Sequence, residues 1–83
     1  MIKRVVLSKQ AQADLATLDR SVALRIVKAI TRFAATGAGN VQGLHGIHPP
    51  EFRLRVGDWR VRFHDHANRI DILRVRNRRE AYR

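Results

Sequence analysis

The stretch Phe52-Arg53-Leu54-Arg55-Val56-Gly57-Asp58-Trp59-Arg60-Val61-Arg62-Phe63 holds two runs of alternating apolar and basic residues, separated by Gly57 and Asp58 alone. Alternation with a period of two is the pattern of a strand that buries one face. A two-residue loop opening with Gly suits a type II′ hairpin. With the loop placed there, Val56 lies opposite Trp59, Arg55 opposite Arg60, Leu54 opposite Val61, Arg53 opposite Arg62 and Phe52 opposite Phe63. Phe52, Leu54, Val56, Trp59, Val61 and Phe63 then share one face, and Arg53, Arg55, Arg60, Arg62 and His64 share the other.

A third strand is expected from residue 69 to about 76. Its Ile70, Ile72, Leu73 and Val75 do not share one parity, which calls for a bulge or for a central strand buried on both sides. If Leu73 and Val75 point to the core, Arg74, Arg76 and Arg78 join the basic face. Toward the N-terminus, Val5 to Leu7 suit a short strand, and Ser8 is placed to cap a helix reaching about Leu18. Ala11, Leu15 and Leu18 form its buried stripe, with Lys9, Gln10 and Asp14 facing out. Asp19 or Ser21 can cap a second helix. Its Val22, Ile26, Ile30 and Phe33 recur at helical spacing, Val27 and Ala34 widen the stripe, and Gly37 stands where a C′ residue with positive φ belongs. Residues 37–50 turn to Gly, Asn, His and Pro and read as a surface connection anchored by Leu44. The expected architecture is α+β, two N-terminal helices packed on one face of an antiparallel-rich sheet of about four strands. Residues 1–83 are expected to form one domain.

The 83 residues carry 17 Lys and Arg against 7 Asp and Glu, a formal net charge of +10. Such an excess points to a polyanionic partner, nucleic acid foremost. A membrane-surface peptide would concentrate its cations on one long amphipathic helix, whereas here ten arginines fall within residues 51–83, a strand-like stretch. No signal peptide or spanning segment is evident, so the expected location is cytoplasmic, with no membrane partner. Cysteine is absent, which removes disulfides as a means of stabilising a small domain.

Like charges directly opposite one another destabilise a hairpin, and this pattern sets Arg beside Arg twice. One reading is the ordinary solvated face of an antiparallel sheet. Ordinary solvated faces mix signs, however, and Arg offers planar, paired donors suited to phosphate oxygens. The basic face is therefore read as an anion site.

These runs, together with Ile72-Leu73-Arg74-Val75-Arg76-Asn77-Arg78-Arg79-Glu80-Ala81-Tyr82, resemble the RelE/ParE toxin superfamily, in particular its RelE-like toxins, over nearly the whole chain. The RelE-type likeness implies an endoribonuclease of a type II toxin–antitoxin system. Such an enzyme enters the ribosomal A site, cuts mRNA there without a metal or other cofactor, and is restrained by a cognate antitoxin. The ParE-type likeness implies an inhibitor of DNA gyrase. A non-catalytic RNA-binding module is the third reading. Carried over by position, Arg53 and Arg55 stand where the best-known relative has lysines, Arg60 and Arg78 stand at its phosphate-binding arginines, and Tyr82 falls near its C-terminal tyrosine. Tyr82 follows Arg78 at a shorter spacing than in that relative. The further C-terminal helix of some members is not expected here.

Metal-independent RNA cleavage proceeds by attack of the 2′-OH on its own phosphate, leaving a 2′,3′-cyclic phosphate and a 5′-OH. One proton must be taken and another given, while charge builds on the phosphoryl oxygens. Arginines meet the second need with fixed donors. They fail the first, because Arg is not deprotonated in proteins. Tyr82 and the histidines are the proton-transfer candidates, His64 foremost because it lies on the arginine face, and Arg53, Arg55, Arg60, Arg62, Arg74, Arg76 and Arg78 are the RNA-binding set. His64 with His66, or His45 with His48, offer two metal ligands each but no third at clear spacing, so no metal site is expected.

Overall fold

In a computed structural model of the chain, which describes residues 2–79, the elements run β1 (Arg4–Leu7), α1 (Lys9–Ala16), α2 (Arg20–Thr36), β2 (Asn40–Leu44), β3 (Glu51–Val56), β4 (Trp59–Asp65) and β5 (Arg69–Asn77). The five strands form one sheet in the order β1-β5-β4-β3-β2. All neighbours are antiparallel except β1 and β5. The architecture is the expected α+β one, with a strand more than the composition implied. That strand is β2, lying within the stretch read as a surface connection. It pairs along β3 with Asn40 opposite Arg55 and Leu44 opposite Glu51. Its Val41 packs against the core, but Gly43 and the polar Asn40 and Gln42 hide the strand pattern.

The hairpin of β3 and β4 has the expected register at all five pairs. Gly57 takes a φ of 59° while Asp58 keeps a negative one, as a type II′ turn requires. Of the two alternatives left open for β5, the bulge is the one present. Arg74 stands opposite Arg62 but Ile72 opposite Phe63, so Leu73 is an extra residue. The reset in parity lets Ile70, Ile72 and Val75 all be buried.

Ser8 caps α1 by accepting the Ala11 N–H at 3.0 Å. Because β1 ends at Leu7, the rest of β5 would be left with a bare edge, and α1 covers it. The Ser8 N–H donates to Ile72 O at 2.9 Å, Ser8 Oγ donates to Leu73 O at 2.7 Å, and the Asp14 carboxylate accepts the Val75 N–H at 2.9 Å. Covering an edge in this way blocks unwanted strand pairing. Asp14, expected to face out, is thus a structural acceptor. Burial pushes its carboxyl up, but the bonds from Arg74 and Val75, with the charges of Arg74 and Arg76, outweigh this and hold it below its ordinary range. The helix stops at Ala16, two residues before the expected end, though Leu18 still packs on the core.

In α2, Ile26, Ile30 and Ala34 are buried, and Phe33 meets Phe63 with ring centroids 5.2 Å apart. Val27, expected to widen this stripe, is instead 42% exposed. Asp19 occupies the N-cap position without a side-chain hydrogen bond, and Gly37 ends the helix with a φ of 75°. Among the described residues no helix is long and apolar enough to cross a membrane.

Candidate nucleic-acid interface

With the apolar members of the strands turned to the helices, the opposite face of the sheet is arranged by register alone. Arg55, Arg60 and Arg76 form one rung across β3, β4 and β5; Arg53, Arg62 and Arg74 form the next. Asn40 and Gln42 extend the two rungs onto β2. The third rung brings His64 opposite Asp71 and beside Glu51.

The arginines differ in what holds them. Arg74 donates from Nε and Nη2 to the two oxygens of Asp14, at 2.9 and 3.1 Å. Arg62 places Nε and Nη2 on Glu51 Oε2, at 3.0 and 2.6 Å. Arg53 donates from Nη2 to Gln42 Oε1 at 2.9 Å. Arg55 is exposed and makes no ion pair among the described residues. Arg76 lies opposite Arg60. Arg78 follows the end of β5, its backbone N–H on Asp58 O. With Asp58, Asn77 and Arg79 it lines an open hollow of about 650 Å³ beside the hairpin loop.

Arg60 is the unexpected member. Register places it on the basic face as read from sequence, but it is only 3% exposed. Its Nη1 makes long contacts of 3.4 Å to the carbonyls of Gly57 and Trp59, and its Nε has no hydrogen-bond partner. Among the described residues, the buried side-chain nitrogens without a partner are Arg53 Nε, Arg60 Nε and His64 Nε2. All three sit on this one face. A buried donor left without a hydrogen bond costs about 1–3 kcal/mol, so Arg53 Nε and Arg60 Nε are the positions on this face with most to gain from an added acceptor.

Glu51 is the residue that sequence reasoning missed. It is 9% exposed, and while Oε2 receives Arg62, Oε1 lies 3.9 Å from His64 Nε2. Extending the hairpin register by one step would have found it, since Glu51 is the residue across from His64. The other acids of this end are also engaged. Lys3 pairs with Asp65 at 2.6 Å, and Asp71 receives Arg69 at 2.8 Å and His66 at 3.1 Å. The bond from Arg69 is the main reason the Asp71 carboxyl titrates below its ordinary range. The face therefore runs from acid-balanced at the His64 end to strongly cationic at the hairpin end.

Chemically, such a face can bind a phosphodiester and stabilise charge developing on its oxygens with guanidinium donors. Arg53, Arg55, Arg60 and His64 are brought together on it. Tyr82 lies outside the described residues. No group of three His, Cys, Asp or Glu among the described residues is placed to hold a metal ion.

Among solved structures, the chain is similar to the archaeal RelE–RelB complex from Pyrococcus horikoshii OT3, at 25% identity over 94% of this chain and 97% of that one, with a TM-score of 0.78. It is similar in fold to the toxin–antitoxin complex RelBE2 from Mycobacterium tuberculosis, at 20% identity, 94% coverage of both chains and a TM-score of 0.79. The RelB–RelE complex from Methanococcus jannaschii gives 21% identity over 93% and 94% of the two chains, with a TM-score of 0.76. No curated protein matches the chain. The family profile described as the ParE toxin of the type II toxin–antitoxin system, parDE, matches residues 5–82. A match over nearly the full length, on a sheet and helices of the RelE kind, places this chain in the ParE toxin family of type II toxin–antitoxin systems, within the RelE/ParE superfamily.

Proposed function

We propose that this toxin is a single-domain endoribonuclease that cleaves mRNA in the ribosomal A site by 2′-OH attack. The observation that carries this reading is Arg60, a buried guanidinium with an unpartnered Nε, at the centre of a rung of three arginines. A buried, unpaired charge is strongly unfavourable unless something anionic compensates it. A phosphate seated among Arg53, Arg55, Arg60, Arg76 and Arg78 does so, and gains donors where negative charge develops during attack. The 2′-oxygen bonds to phosphorus as its proton leaves, and the bond to the 5′-oxygen breaks as that oxygen takes a proton. His64 and Tyr82 divide these two transfers, because the arginines cannot release protons. As in the RelE–RelB complexes it resembles, the toxin takes a cognate antitoxin as its partner, an acidic one given the charge of +10.

A second reading is inhibition of DNA gyrase by protein contact. It is favoured by the ParE description of the matching family and by Arg53 and Arg55, which cannot act as bases. Primer extension on mRNA from ribosomes programmed with the purified toxin, beside a gyrase supercoiling assay, separates the two. Discrete cleavage with normal supercoiling supports the nuclease; intact mRNA with blocked supercoiling overturns it in favour of the inhibitor.

A further inference from the structure

The arginine rungs end at β5, and toward the β1 edge the same face of the sheet changes character. Register sets Arg4 beside Arg69 and Val6 beside Asp71, while His64 lies opposite Asp71 on its other side. Arg4, Val6, Arg69 and Asp71 therefore share the face that carries the arginines. Val6 is 39% exposed there. With Leu73, the extra residue of the bulge, it lines an open basin of about 490 Å³, rimmed by Arg4, Ser8, Arg69 and Asp71.

The floor is apolar and the rim offers both donors and acceptors. Arg4 is exposed and makes no ion pair or side-chain hydrogen bond among the described residues. Arg69 spends its Nε on Asp71 Oδ1 at 2.8 Å, which leaves its Nη groups to donate. Asp71 receives Arg69 on one oxygen and His66 on the other, so each carboxylate oxygen can accept once more. An aliphatic side chain would fill this floor but leave the rim unused, and a phosphate would suit the cations but meet Asp71. An unpaired base uses all of it: its faces lie on Val6 and Leu73, its ring acceptors take guanidinium donors, and its amino group donates to Asp71.

We propose that this basin is a nucleobase subsite, taking an unpaired, amino-bearing base of the RNA strand whose phosphates lie on the arginine rungs. The placement suits this, because Val6 stands two strand spacings from His64, about 10 Å across β5. The rungs hold the backbone and the basin reads a neighbouring base.

The inference rests on the RNA reading of the arginine face but not on cleavage, and binding tests it directly. Full-length toxin and its variants are titrated against oligocytidylate, oligouridylate and inorganic polyphosphate across a salt series. Val6→Thr/Leu73→Ala is expected to weaken oligocytidylate binding about tenfold. Its salt slope should not change, since no phosphate contact is lost, and polyphosphate should bind as before. Val6→Thr alone keeps the branched shape and strand preference and should move the same way. The wild type is expected to prefer oligocytidylate over oligouridylate about fivefold, and Asp71→Ala should abolish that preference. Unchanged oligocytidylate binding in the Val6/Leu73 variant, an equal loss of polyphosphate in Val6→Thr, or a preference that survives Asp71→Ala overturns the proposal. So does a variant that loses only its antitoxin, which would give the basin to a protein partner. If Arg60→Ala loses oligonucleotide and the Val6/Leu73 variant does not, the subsite alone fails; a wild type that binds neither oligonucleotide sinks the RNA reading with it.

Discussion

Arg62 and Glu51 meet across the β3–β4 hairpin with both Nε and Nη2 of the guanidinium on one carboxylate oxygen, at 3.0 and 2.6 Å. The carboxylate occupies the donor fork that a phosphate would use, so an incoming strand has to compete with Glu51 for Arg62. Glu51→Gln removes the competing charge and keeps the shape. Its expected effect is tighter binding of single-stranded RNA, with the log-affinity salt slope steeper by about 0.7 as one more arginine engages phosphate. Fluorescence anisotropy across a salt series measures this; weaker binding at an unchanged slope would show that Arg62 is not held in reserve.

Arg60→Met separates function from stability. Met fills similar volume without a charge, and removing a buried guanidinium whose Nε has no hydrogen-bond partner and whose Nη1 makes only long contacts is expected to leave the unfolding free energy unchanged or raise it by about 1–2 kcal/mol. RNA binding and cleavage should fall together. Denaturant unfolding beside a cleavage assay tests both halves. A strongly destabilised variant that still binds RNA would make Arg60 a structural residue.

Asp14 gives the fold a defined response to acid. Its folded-state pKa lies below the unfolded value of about 3.9, because the bonds from Arg74 and Val75 outweigh the effect of burial. The stabilisation is therefore complete above that unfolded value and is lost as pH falls through the lower folded one. Asp14→Asn is expected to cost about 1–2 kcal/mol at neutral pH, a difference that shrinks as pH falls through the lowered folded-state value. Parallel unfolding curves with a pH-independent gap would contradict the assignment.

Tyr82 is expected to divide the proton-transfer work with His64. If its hydroxyl carries a proton, Tyr82→Phe should lower the cleavage rate by about 10²- to 10⁴-fold. If its ring only stacks on a base, Tyr82→Phe should be nearly silent and Tyr82→Ala should cost about 1–3 kcal/mol of RNA binding. Single-turnover cleavage with the two variants decides between them, and full activity in both would leave His64 as the remaining proton-transfer group.

The hairpin was legible because a two-residue loop leaves a single register, and strict alternation then assigns every side chain to a face. The bulge was legible only as a conflict among Ile70, Ile72, Leu73 and Val75. Strand β2 was not, since an edge strand is held by its neighbour's backbone, and Asn40, Gln42 and Gly43 carry little strand preference of their own. The burial of Arg60 was hidden for a different reason: alternation tells which way a side chain points, not how closely its neighbours crowd it. Asp14 looked solvated because its partner lies 60 residues away in sequence, beyond the reach of any helical pattern.

The extra residue at Leu73 makes β5 behave like a text with a shifted reading frame. Upstream of it the buried side chains are Ile70 and Ile72, and downstream the buried one is Val75. Were Leu73 drawn into the regular pairing instead of being left over, Arg74 and Arg76 would turn toward the helices and Val75 outward, exchanging interior for binding surface in a single step; deleting Leu73 would leave each of them on its present face. Substitution can retune this surface gradually, one cation at a time. A slip of the pairing frame has no gradual form, and the bulge at Leu73 is what keeps Arg74 and Arg76 on the same face as the cations of β3 and β4.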